Sequence, residues 1–149
     1  MKPYQIIVNP VSGRGAGAQS ISAVEAGLHS RGIAYQLIVT ERPGHGIELA
    51  RQAARGGYSV VVAVGGDGTA NEIINGLMAA KLAGEGESAL GVICVGRGND
   101  FAYGARIPVE LNAALDTLKA NHRQLIDIGQ VHGGLYPNGR FFGNGVGID

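Results

Sequence analysis

Three short glycine-rich segments carry most of the residues able to do chemistry in this chain. They are Asn9-Pro10-Val11-Ser12-Gly13-Arg14, Gly65-Gly66-Asp67-Gly68-Thr69 and Gly96-Arg97-Gly98-Asn99-Asp100. Glycine lets backbone N–H groups come close to an anion, and a helix that starts just after such a turn adds partial positive charge. The combination suits a phosphate group. Asp67 is the most informative residue among them. Set between glycines after an apolar run, it reads either as a helix cap or turn residue, or as a carboxylate aimed at Mg²⁺ or a reacting hydroxyl. Arg14 and Arg97 are the cations of these loops, and each reads as a phosphate contact or as ordinary loop charge.

Common nucleotide signatures narrow the choice by their absence. No G-x-x-x-x-G-K-[ST] occurs, which excludes a P-loop, and no G-x-G-x-x-G follows the first apolar run. Gly143, Gly145 and Gly147 merely alternate near the chain end. The four histidines form no H-E-x-x-H and no Cys/His cluster, which argues against zinc.

The elements that must hold these loops follow from periodicity. Tyr4 to Val8 is a β-rich run closed by Asn9-Pro10, and residues 11–17 form a small-residue loop. Ile21, Val24 and Leu28 keep helical spacing up to Gly32. Ala34 to Thr40 predicts a second strand, and Ile47, Ala50 and Ala54 a second helix closed by Gly56-Gly57. Ser59 to Val64 is apolar almost throughout, as a parallel strand covered on both faces would be. A third helix is predicted from Thr69 to Ala80, a fourth strand from Leu90 to Val95, and a fourth helix opened by Pro108. Alternating strands and helices give an α/β fold, an open parallel sheet with helices on both faces and right-handed crossovers. Gln124 to Val131 and Arg140 to Val146 break the alternation. With only a turn-rich stretch, His132 to Gly139, between them, they predict an antiparallel pair.

Composition agrees. The chain has 149 residues, enough for one domain that buries about two-thirds of its unfolded surface. Glycine supplies 26 of them, more than twice the usual ~7%. A hydrophobic share of 45% excludes a disordered chain. Twelve basic and twelve acidic residues give no global pull toward nucleic acid or an anionic membrane. Cys94 is the single cysteine; it lies in an apolar run, reads as a buried inert thiol, and fits a reducing compartment. The first ten residues lack the apolar core of a signal peptide, so the expected location is cytoplasmic.

Together the motifs resemble the diacylglycerol kinase catalytic domain family, which includes bacterial lipid kinases and sphingosine kinases. Gly65-Gly66-Asp67-Gly68-Thr69 with Asn71-Glu72 resembles its G-G-D-G-T-x-N-E signature, and Asn9-Pro10 with Ser12-Gly13 its N-P-x-S-G loop. Gly98-Asn99-Asp100-Phe101-Ala102 is similar to the end of its G-T-x-N-D-F-A segment. Asp127-x-Gly129, Phe142-x-Asn144 and Gly147-x-Asp149 resemble the strands that begin its second lobe. Arg97 departs from the pattern, standing where the family usually has threonine; it would either offer a cation to phosphates, crowd the nucleotide, or point outward.

The resemblance implies the N-terminal nucleotide-binding lobe of an ATP- and Mg²⁺-dependent lipid kinase. Asp67 would act near the metal and the reacting groups. Asn9, Ser12, Gly13, Arg14, Gly65, Gly66, Gly68, Thr69, Glu72, Arg97, Gly98, Asn99 and Asp100 would form the nucleotide set, and Asp127 would join a magnesium-linked carboxylate network. Residues 1–123 would be the α/β domain and 124–149 the start of a truncated β-rich lobe. The lipid acceptor and a peripheral contact with the membrane's inner face would then need the missing lobe, and the chain alone would be inactive. The apolar terminal hairpin is a possible homodimer contact through strand addition. The alternatives are an NAD kinase-like phosphotransferase and a non-catalytic nucleotide-binding or interaction module.

Overall fold

The computed structural model describes residues 2–96 and 98–143. Four parallel strands form one sheet, β1 (Tyr4–Val8), β2 (Tyr35–Val39), β3 (Val60–Gly65) and β4 (Ala89–Cys94), in the order β2-β1-β3-β4. Register is regular across it: Ile6 stands between Leu37 and Val62. β3 lies inside the sheet and is buried at every position. Its near-continuous valine run is the pattern of a strand covered on both sides.

Alternate β3 residues feed two cores. Val60, Val62 and Val64 join Ile6 and Val8 against α1 (Ser12–Ser30) and α5 (Leu111–Ala120), through Val24, Leu28, Leu115 and Leu118. Val61 and Ala63 join Ile7 against α2 (His45–Arg55) and α3 (Asp67–Leu82), through Leu49, Ala53, Ile73 and Leu77. Helices thus cover both faces, as the alternation predicts. A third cluster, Ala70, Ile74, Val92 and Phe101, lies beside the short helix α4 (Asp100–Gly104).

Several boundaries differ from the sequence reading. α1 is counted from Ser12, but Gly13, Arg14 and Gly15 inside it are left-handed, so the small-residue loop persists there. α3 begins at Asp67, two residues before the predicted start, with Gly66 at its N-cap. α4 was not predicted; five residues carry no readable period. Pro108 does not open α5. The helix starts at Leu111, because the Glu110 carboxylate accepts from Asn112 N at 3.0 Å and Ala113 N at 2.7 Å.

The antiparallel pair is present as β5 (Gly129–Gly133) and β6 (Tyr136–Phe142). The turn is tighter than predicted, Gly134 and Leu135 alone separating the strands, so most of the expected 132–139 loop is strand. Residues 124–128, predicted as the first part of that strand, lie outside it and pair with no strand. The predicted strand's continuation through Val146, with Asn144, Gly147 and Asp149, lies outside the described residues. No described helix is long and apolar enough to cross a membrane.

Two measurements test this account. A Cβ on Gly76 of α3 would meet the Ile47 carbonyl oxygen of α2 and stand 2.7 Å from Ala50 Cβ. Gly76→Val is expected to cost about 1–3 kcal/mol by urea unfolding; an unchanged midpoint would show that the helices part freely. The Glu110 pKa is held below the ordinary carboxylate value, first by the Asn112 amide and then by that of Ala113. Its contribution is complete above the ordinary carboxylate range and is lost as pH falls through the lowered value. Acidification should therefore release α5 amides to exchange earlier in wild type than the Glu110-independent core, and Glu110→Gln should flatten that dependence. Identical pH profiles would remove the cap.

Candidate functional site

β1 and β3 are neighbours, yet the chain leaves β1 toward β2 and leaves β3 toward β4. That divergence opens a crevice at their carboxyl ends, where ligands of open α/β sheets bind. Asn9 ends β1. Its Oδ1 accepts from Val11 N at 3.2 Å, and its Nδ2 donates to Thr69 Oγ1 at 3.2 Å. Ser12 Oγ lies 3.3 Å from the same hydroxyl. Gly65 makes this meeting possible: a Cβ there would strike Thr69 and stand 2.8 Å from Ser12 Oγ. The first and third glycine loops also touch. A Cβ on Gly13 would lie 2.9 Å from Gly96 Cα, and one on Gly96 2.9 Å from Gly13 Cα.

Gly66, at the N-cap of α3, offers no side chain to the helix's unpaired first amides. A Cβ on Gly66 would find only Val95 O, at 3.7 Å, and one on Gly68 would meet open space. This helix start is therefore accessible and positively polarised. Arg14 is exposed and left-handed at φ 58°, a conformation costing a non-glycine residue roughly 1–2 kcal/mol.

Asp67 has both of its anticipated characters constrained by one contact. Its Oδ2 accepts from Asp100 N and its Oδ1 from Phe101 N, each at 3.0 Å. It therefore caps α4 rather than its own helix, and fastens the third glycine loop to the second. In that loop Asn99 Nδ2 donates to Gly96 O at 3.4 Å, while its buried Oδ1 has no partner among the described residues. An orphaned acceptor costs about 1–3 kcal/mol, which a ligand hydroxyl or amino group would recover. Gly98 and Asp100 are exposed. Arg97 lies outside the described residues.

Beside Asn9 is a cavity of about 240 Å³, lined by residues 9–11, residues 40–43 and Glu72. Glu72 Oε1 accepts from Gly46 N at 3.0 Å and so holds the start of α2 at the cavity wall. Thr40, buried at the end of β2, was missed by the sequence reading. Its signal is its place one residue past a strand, which matters only once β2 is known to lie beside β1. Asp127 is exposed, in the unpaired segment before β5. No group of three His, Cys, Asp or Glu side chains forms a metal site among the described residues. Cys94 is half-buried; burial, then the Asp67 charge, pushes its thiol pKa up, which keeps it unreactive.

An open parallel sheet with glycine loops and a free helix start at its switch point defines an α/β domain suited to a phosphate-bearing ligand. The family model of the diacylglycerol kinase catalytic domain matches residues 3–131. The chain belongs to that family. It is 38% identical over 139 residues to the diacylglycerol kinase of Bacillus subtilis, covering 93% of this chain and 45% of that protein. To a probable lipid kinase YegS-like of Chromohalobacter salexigens it is 41% identical over 100 residues, 67% of this chain and 32% of the relative. A putative diacylglycerol kinase from Bacillus anthracis has the same fold, with a TM-score of 0.70, 23% identity, and 87% and 43% of the two chains covered. The chain thus spans less than half the length of the relatives it matches.

Asp67→Ala should leave the sheet intact and free the amides of residues 100 and 101 to exchange, at a stability cost of about 1 kcal/mol. Unaltered exchange at those two amides would show that α4 needs no cap.

Proposed function

We propose that this chain is the nucleotide-binding lobe of an ATP-dependent lipid kinase, which transfers the γ-phosphoryl group to a diacylglycerol-like lipid alcohol. One observation carries the reading: the start of α3, with glycine at its N-cap and no side-chain cap, lies between two glycine loops at the β1/β3 switch point. Backbone amides there suit phosphate oxygens. Gly65, Gly66 and Gly68 leave the space, Thr69 is held ready by Asn9 and Ser12, and Gly13 and Gly96 close the cradle. The orphaned Asn99 Oδ1 suits a ribose hydroxyl or a base amino group. The cavity bounded by Asn9, Thr40 and Glu72 has room for one ring system.

ATP supplies the phosphoryl group, and the transfer needs positioning and charge stabilisation more than covalent catalysis. Asp67 contributes by fastening the third loop, with its remaining lone pairs available to the reacting region. Mg²⁺ fits as a companion of bound phosphates, since one or two carboxylates together with substrate phosphates and water commonly hold it; the described side chains alone do not build its site. Asp100, exposed beside Asp67, is better placed for such a role than Asp127. Family membership favours a lipid acceptor over NAD. Peripheral membrane contact and acceptor selection belong, in this reading, to the part of the relatives' length that this chain does not span.

Calorimetric titration of the chain with ATP, with and without Mg²⁺, tests the proposal. Saturable binding is expected, weakened about tenfold or more by Gly66→Val, whose backbone angles tolerate valine. Absence of binding, or equal affinity in Gly66→Val, would displace the nucleotide from this loop.

A further inference from the structure

Helix α3 carries another set of ties that the nucleotide reading leaves unused. Asn75 is buried, at 8% exposure. Its Oδ1 accepts from Phe141 N at 2.8 Å, and its Nδ2 donates to Phe141 O at 3.0 Å. This pair of bonds is what a neighbouring strand would give. On the other side Phe141 stands opposite Gln130 of β5. Asn71, one turn earlier, donates from Nδ2 to Phe141 O at 3.1 Å. Its Oδ1 accepts from Arg140 Nη2 at 3.0 Å and Nε at 3.3 Å. The Arg140 guanidinium also lies over the Tyr136 ring, 5.5 Å from its centroid. Asn75 Nδ2 returns to Asn71 O at 2.8 Å, which joins the two asparagines.

The residue type is what this geometry requires. A carboxamide both donates and accepts, and so serves a backbone N–H and C=O together; aspartate only accepts, and leucine does neither. The tie is to main chain, so it holds β6 whatever side chain occupies position 141. Asn71 and Asn75 follow Asp67 at four-residue intervals, along one face of the helix. One face therefore runs from the candidate phosphate seat to the hairpin.

We propose that Asn71 and Asn75 are positioning residues that lock β6 to helix α3, so that ordering of the first turn of α3 by a nucleotide is passed to the hairpin. The relay rests on the nucleotide reading above; the lock does not.

Amide exchange followed by NMR on the 149-residue chain tests both. Without nucleotide, Asn75→Leu should speed exchange at Phe141 by about tenfold, with β3 amides unchanged. Asn75→Asp keeps the acceptor for Phe141 N but sets an oxygen against the Phe141 and Asn71 carbonyls, and should restore only part of that protection. Equal Phe141 rates in wild type and Asn75→Leu would overturn the lock. Should β3 amides also speed up, the smaller change Asn75→Ser makes the comparison, and a wild-type rate at Phe141 there would overturn the lock. With ATP and Mg²⁺, Phe141 exchange should slow further in wild type and much less in Asn71→Ala. An equal effect in both, or none in a wild type that calorimetry shows to bind ATP, would overturn the relay. A wild type that binds no ATP would overturn the nucleotide reading and the relay together, while the ligand-free rates still decide the lock.

Discussion

The first turns of helix α3 are the point on which the other parts converge. Asp67 holds α4 through the amides of residues 100 and 101. Thr69 meets Asn9 and Ser12 of the loop after β1. Asn71 and Asn75 hold β6, and Glu72 holds the start of α2. Five polar side chains within nine residues thus tie four separate segments to one helix. The helical period sorts them. Residues 67, 71 and 75 share one face, residues 69, 72 and 76 the next, and Ala70, Ile73 and Leu77 remain for the core. This division explains how α3 buries Thr69 and Asn75 beside an apolar face.

Close backbone approach is the second constraint, and it follows from the first. Three loops cannot meet at one helix start if each carries a side chain there. Gly65 leaves the space in which Thr69 and Ser12 meet, and Gly13 and Gly96 leave that in which two loops touch. The cost is conformational entropy, since glycine loses more freedom on folding than any other residue. The fully buried β3, flanked by β1 and β4, supplies the rigid base that offsets it. A strand with an exposed face would have held these loops less firmly.

Much of this was legible in the sequence. β1 and β3 fall within a residue of their predicted bounds, because an apolar run ending in Asn-Pro or Gly-Gly has few other readings. The glycine loops stood out for the same reason. What stayed hidden is tertiary. Asp67 was open between cap and functional carboxylate, and the sequence alone had no means to show that the capped helix lies 33 residues further on. Thr40 joined the cavity wall only through strand order. Asn71 belongs to a legible motif and Asn75 to none, since an asparagine in an amphipathic helix resembles an ordinary surface residue until its partner strand is known. Pro108 misled because a proline near a helix start is a common signal, and the carboxylate two residues later outweighed it.

These ties change how the signature residues should be interpreted. A motif in a kinase invites the view that each member touches the nucleotide. Here Asp67, Asn71 and Glu72 each already hold a backbone group of another segment, and Thr69 is engaged by two side chains. Loss of activity on replacing one of them would therefore mix two effects, a missing contact with ligand and a displaced loop. The glycines separate the two more cleanly. Gly66 and Gly68 have open space where a side chain would go and backbone angles outside the left-handed region. A small side chain there alters the seat and leaves the ties in place. In this fold the residues without side chains report on binding, and those with side chains report first on assembly.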